Sequence, residues 1–110
     1  MFVETGAVDV FLAENVASAP TNDGYAIAAP GAQLLDNVAK AAGLDGFRVS
    51  GDDNFLQSNV GKKCGADGFA VSGSDNALLE NTGKKNAGFD FDGDPMTNVL
   101  LGNTFSTMSP

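Results

Sequence analysis

The chain has no histidine, no tryptophan, one tyrosine and one cysteine, Cys64. Without histidine there is no Ser-His-Asp or Cys-His nucleophile system and no histidine-ligated zinc. A lone cysteine closes no intramolecular disulfide. Basic residues are scarce: 6 against 14 acidic residues, a formal net charge of −8. Such a chain lacks the basic face that neutralises phosphates, so nucleic acid is not an expected partner. No apolar run approaches the roughly 18 residues that span a bilayer, so no membrane partner is expected either. The opening stretch, Met1–Val10, lacks a basic and then apolar leader, so no secretory signal is read there. What is present suits a globular chain: 43% hydrophobic residues and 110 residues, the size of one domain spanning 1–110.

The organising feature is a repeat. Asn15, Asn37, Asn59, Asn81 and Asn103 recur every 22 residues, as do Leu12, Leu34, Leu56, Leu78 and Leu100. Val3, Tyr25, Phe47, Phe69 and Phe91 follow the same period. Helical repeats are longer, at about 33 residues or more. A leucine-rich repeat would place leucine three, five and eight residues before the Asn. Before Asn81 those positions hold Leu78, Asn76 and Gly73, so that pattern fails. The short apolar runs, F-x-V in Gly46–Gly51 and Gly68–Gly73 and x-L-x before each Asn, read as period-2 strands bounded by Gly, Asp, Asn or Ser. The expected fold is all-β: a single-stranded solenoid of about five coils with three short parallel strands per coil. Equivalent positions then stack at about 4.8 Å.

Three apolar ladders are expected to make the core. They are the Val3-to-Phe91 column, the column Thr5, Ile27, Val49 and Val71, which Gly93 breaks, and the leucines. Val16, Val38, Val60, Thr82 and Thr104 are expected to add a fourth. The Asn column is read as structural: asparagine tolerates left-handed backbone angles at a bend, and stacked amides bond up and down the column. Asn54, Asn76 and Asn98 form a second column, broken by Ala32.

The pattern G-F-x-V-S-G, then N-x-L-x-x-N, then V-x-K resembles the right-handed parallel β-helix of the pectate-lyase-like superfamily. Segments such as Asn37–Ser50 are similar to coils of bacterial alginate (mannuronan) C5-epimerase modules. The resemblance covers essentially the whole chain. It implies a right-handed coil, an extracellular or cell-surface setting, and acidic polysaccharide as a partner class. The epimerase motif of Asp-Pro-His-Glu type is missing: the only Asp-Pro, Asp94-Pro95, is followed by Met96 and Thr97. Groove-building insertions are missing too, because every coil is one period long. No catalytic residue is therefore assigned.

The basic residues Arg48, Lys62, Lys63, Lys84 and Lys85 are the candidate contacts to a polyanionic sugar chain. Lys62 and Lys84 stack in register with Lys40, and Lys63 stacks with Lys85. Asp23, Asp45 and Asp67, each followed by Gly, read as turn carboxylates that cap backbone, with a calcium or acid-pair role as the competing reading. Asp90, Asp92 and Asp94 alternate as in the start of an EF-hand loop, with Leu101 where the closing acid belongs. Calcium is the ion they would take, and no cofactor is otherwise expected. Phe89 and Phe91 compete for one aromatic slot. Cys64 reads as incidental.

A solenoid exposes open strand edges and an apolar cross-section at each end. No cap is recognisable, so the chain is expected to be an excerpt of a longer solenoid or to associate with itself end to end. The expected function is a non-catalytic structural or interaction module. The alternative is a fragment of a polyuronate lyase or C5-epimerase. An ice-binding solenoid would need a flat threonine row, which is absent.

Overall fold

The computed structural model describes residues 1–109. Pro110, the last residue of the expected domain, lies outside them. Fifteen short strands form three parallel sheets of five strands each, with no helix among the described residues. The first sheet joins β1 (Phe2–Val3), β4 (Tyr25–Ile27), β7 (Phe47–Val49), β10 (Phe69–Val71) and β13 (Phe91–Gly93). The second joins β2 (Phe11–Ala13), β5 (Gln33–Leu35), β8 (Phe55–Gln57), β11 (Ala77–Leu79) and β14 (Val99–Leu101). The third joins β3 (Val16–Ser18), β6 (Val38–Lys40), β9 (Val60–Lys62), β12 (Thr82–Lys84) and β15 (Thr104–Phe105). Each coil visits the three sheets in turn. The ladders keep the 22-residue register, with Tyr25 opposite Phe47, Leu34 opposite Leu56 and Lys40 opposite Lys62. The protein is a parallel β-solenoid of five coils. Its smallest Cα extent, 19 Å, matches five strands at a spacing of about 4.8 Å.

The aromatic column fills the centre. Tyr25, Phe47 and Phe69 stack at centroid distances of 4.8 and 4.7 Å with interplanar angles of 11° and 5°. Strand spacing imposes that separation, and such contacts add about 0.5–1.5 kcal/mol beyond area burial. Ile27, Val49 and Val71, with Leu34, Leu56 and Leu78, complete the buried core.

Four details differ from the sequence reading. Val3 pairs with Ile27, not Tyr25, so it sits in the second ladder, and Thr5 is exposed. The turn after β1 takes up the slip before Phe11 meets Gln33 in full register. The fourth ladder is not Val16, Val38, Val60, Thr82 and Thr104. Ala39, Gly61 and Gly83 are the buried positions of their strands, and Val16 is 64% exposed. The reason is space. A Cβ on Gly46 would come within 3.3 Å of the Gly61 Cα and 2.7 Å of the Gly68 carbonyl oxygen, so only the smallest residues pass this wall. The left-handed angle falls on the residue before each Asn rather than on the Asn: Glu14, Asp36, Ser58 and Glu80 have φ of 55–58°. The same arrangement recurs at the other two corners, as at Asp53 before Asn54 and Lys63 before Cys64. Finally, Phe91 takes the aromatic slot, Phe89 is exposed, and Phe105 fills the inward position of β15 against both Phe69 and Phe91.

Candidate functional site

The corners decide where the buried asparagines go. A left-handed residue turns the chain and leaves the next residue pointing inward with its N–H aimed at the neighbouring coil. At the corner between the second and third sheets that residue is Asn in all five coils. The Asn37 N–H donates to Asn59 Oδ1 at 2.9 Å, and the Asn59 N–H donates to Asn81 Oδ1 at 2.9 Å. The same oxygens accept from the Asn37 and Asn59 side-chain amides at 3.1 and 3.0 Å. Each amide also donates to a carbonyl one strand back, Asn59 to Leu34 at 2.9 Å. Buried backbone groups that a tight corner would strand are thereby satisfied. The Asn15-to-Asn103 column is structural, as the spacing suggested.

The basic residues are divided between faces. Arg48 projects from the middle of β7, flanked in register by Ala26 and Ala70. Its Nη1 lies 4.0 Å from Asp23 Oδ2 beside an open cleft of about 500 Å³ lined also by Phe2, Asn22 and Leu44. Lys62 and Lys84 continue a row with Lys40 along the third sheet. Lys63 and Lys85 occupy left-handed corner positions, φ 54° and 58°. The structure gathers Lys40, Lys62 and Lys84 into one row and puts Arg48 on a different sheet.

The aspartates act on backbone. The Asp45 N–H donates to Asp23 Oδ1 at 3.0 Å, the Asp67 N–H to Asp45 Oδ1 at 2.9 Å, and the Phe89 N–H to Asp67 Oδ1 at 2.7 Å. Burial pushes the Asp45 carboxyl above its ordinary value, the Asp67 N–H opposes the shift, and the charges of Asp23 and Asp67 add to it. Asp67 is raised in the same way, by burial first and then by nearby Asp92.

The expected calcium set at Asp90, Asp92 and Asp94 is not assembled. Asp90 precedes the strand and turns inward, 2% exposed, in the column that holds Gly68 one coil earlier. Its Oδ1 accepts from Asn86 Nδ2 at 2.9 Å, and its Oδ2 from the Ser106 and Thr107 N–H groups at 3.0 and 3.2 Å. Asp92 is exposed, and Asp94 Oδ1 accepts from the Met96 N–H. Among the described residues no group of three or more His, Cys, Asp or Glu side chains is placed to hold a metal ion. Asp90 instead ties down the returning segment after β15, where Met108 bridges to Phe91 and Thr107 and Ser109 oxygens accept from the Asp90 and Gly93 N–H groups. This closure over the last first-sheet strand was not anticipated.

Cys64 is buried at a corner, and burial pushes its thiol above the ordinary value, the wrong direction for a nucleophilic thiolate. The sequence reading missed the outward face of the second sheet. Its signal was legible in the residues flanking each ladder leucine: Phe11, Phe55 and Val99 on one side, Leu35, Leu79 and Leu101 on the other.

No protein-family model matches this chain, and neither a curated protein nor a solved structure does.

Proposed function

We propose that the protein is a non-catalytic structural and interaction module that associates with itself through its first coil and touches acidic polysaccharide along its lysine row. The observation that carries this reading is the open edge formed by β1, β2 and β3. These three strands end their sheets. Val10, Leu12 and Ala17 are only partly buried against the core, and Phe2 and Val16 stand 65% and 64% exposed beside them. Unpaired strand edges over an apolar cross-section are templates for another coil. Sedimentation across a concentration series should show self-association. Phe2→Lys with Val16→Lys, which adds charge at exposed edge positions, should shift it toward monomer. A concentration-independent monomer of the unmodified chain overturns this part of the reading.

The row Lys40, Lys62 and Lys84 supports the polysaccharide contact, because one cation per coil repeats through the three middle coils. Electrophoresis in gels containing alginate or polygalacturonate should retard the protein, and Lys62→Gln with Lys84→Gln should abolish the retardation. The likeness of the coils to the pectate-lyase-like superfamily and to C5-epimerase modules supports this partner class. It also carries the alternative, a fragment of a polyuronate lyase or epimerase. That alternative has less support, since Arg48 and the lysines lie on separate sheets and the aspartate row accepts backbone N–H groups. Unsaturated uronate appearing in the ultraviolet after incubation with either polymer would establish the alternative instead.

A further inference from the structure

The outward face of the second sheet is apolar, charged at its borders and without a partner. Each three-residue strand there points its middle leucine inward and its two ends outward. One outward column holds Phe11, Phe55 and Val99, the other Leu35, Leu79 and Leu101, and only Gln33 and Gln57 interrupt them with polar groups. Phe11, Val99 and Leu101 are 58%, 59% and 63% exposed. Residues two apart on a strand are about 7 Å apart, and five strands rise about 19 Å, so the strip is long and narrow.

Carboxylates line both borders. Before the strands stand Asp9, Asp53 and Asp75; after them stand Glu14, Asp36 and Glu80, all exposed and all at left-handed corner positions that project outward. None of the six forms an ion pair among the described residues, where the one pair is Arg48–Asp23. Every basic residue of the chain lies elsewhere, on the first or third sheet or the corner between them.

We infer that this face docks a cationic amphipathic helix of a partner protein, laid along the stack. A helix rises 1.5 Å per residue, so about 13 residues cover the strip, and its apolar stripe is flanked by Lys or Arg that meet the two carboxylate rows. The charge pattern selects this occupant. A second copy placed face to face sets carboxylates against carboxylates on chains each carrying −8. The strip is also far smaller than the roughly 800 Å² per partner of a stable globular interface. This inference goes beyond coil stacking and does not depend on it.

The test uses the Phe2→Lys/Val16→Lys protein, in which coil stacking is weakened, at a concentration where sedimentation shows it monomeric. The probe is a labelled 14-residue peptide with leucines at helical spacing flanked by lysines. Its control has glutamate for lysine. Fluorescence anisotropy should show the lysine peptide binding at least about tenfold tighter than the control. Leu35→Gln with Leu79→Gln should weaken it about tenfold; the chain already carries Gln at Gln33 and Gln57 in these columns, so the fold tolerates the change. Glu14→Gln, Asp36→Asn and Glu80→Gln together should weaken it and flatten its salt dependence. Equal binding of both peptides, or unchanged affinity in the leucine variant, overturns the inference. So does a residual dimer that the leucine variant dissolves, which assigns the face to a second copy. Binding to neutral phosphatidylcholine vesicles that the leucine variant loses overturns it likewise.

Discussion

At the corner between the second and third sheets the asparagine column runs through all five coils. At the corner between the first and second sheets it holds only Asn54, Asn76 and Asn98, with Ala32 above them. In the unbroken column each interior amide donates twice, to the next Asn and to a carbonyl one strand back, at 2.9–3.1 Å. In the broken one Asn76 still does so, at 3.1 Å to Gly51 and 3.2 Å to Asn98. Asn54 does not: its Oδ1 accepts from the Ala32 N–H at 2.7 Å, but its buried Nδ2 has no partner. The position equivalent to the Gly51 carbonyl is Ala29, just before Pro30 and Gly31, where the next two coils have Asp52-Asp53 and Ser74-Asp75. An amide ladder therefore needs more than an Asn in each coil. It needs both neighbouring corners to present their acceptors.

The largest effect should come from the intact column. Asn59→Ala removes two donated and two accepted bonds at a fully buried site and strands the Asn37 N–H. Chemical denaturation should report a loss of about 3 kcal/mol or more. Asn54→Ala removes one accepted bond, strands the buried Ala32 N–H and deletes an amide already without a partner, so a smaller loss, about 1–2 kcal/mol, is expected. Equal losses for the two variants would show that the columns do not differ in the way described. Ala32→Asn extends the broken column by one coil, and its amide should donate to Asn54 Oδ1. A gain of up to about 1 kcal/mol is expected in the same experiment.

The aspartate row sharpens the comparison, because a carboxylate accepts without donating. Stacked amides join to one another, whereas stacked carboxylates join only to backbone and repel. Asp45 and Asp67 are accordingly raised above the ordinary value of 3.8, burial being the larger cause. A raised value means the folded state holds the proton more tightly than the unfolded one. This contribution to stability is full below 3.8 and is lost as pH rises through the raised values. Asp45→Asn keeps the Oδ1 acceptor and removes the charge. Thermal melts should show the variant gaining on the unmodified protein between about pH 4 and neutrality. A difference that does not change with pH would remove the charge from the account.

Much of the fold was legible because identical side chains recur at one spacing. Asn59 and Asn81, or Leu56 and Leu78, announce their neighbours without any need to know the path between them. The candidate sites were less legible. Lys62 and Lys84 stack as the period implies, yet the period says nothing of Arg48 lying on a different sheet. Asp90 looked like a partner for Asp92 and Asp94, but whether a residue beside a three-residue strand points in or out depends on the width left inside the coil. That width also chose Ala39, Gly61 and Gly83 over Val38, Val60 and Thr82 as the inward positions.

Repetition alone determined which residues lie one coil apart, and with that the parallel stacking, the amide columns and the aromatic pile. Only the three-dimensional coil decided the phase: which residue takes the left-handed turn, where Val3 slips to pair with Ile27, and how Phe105 and Asp90 close the last coil. The physical reason is that a period fixes the distance between equivalent positions, whereas in and out are settled by the volume that the facing sheets leave to be filled.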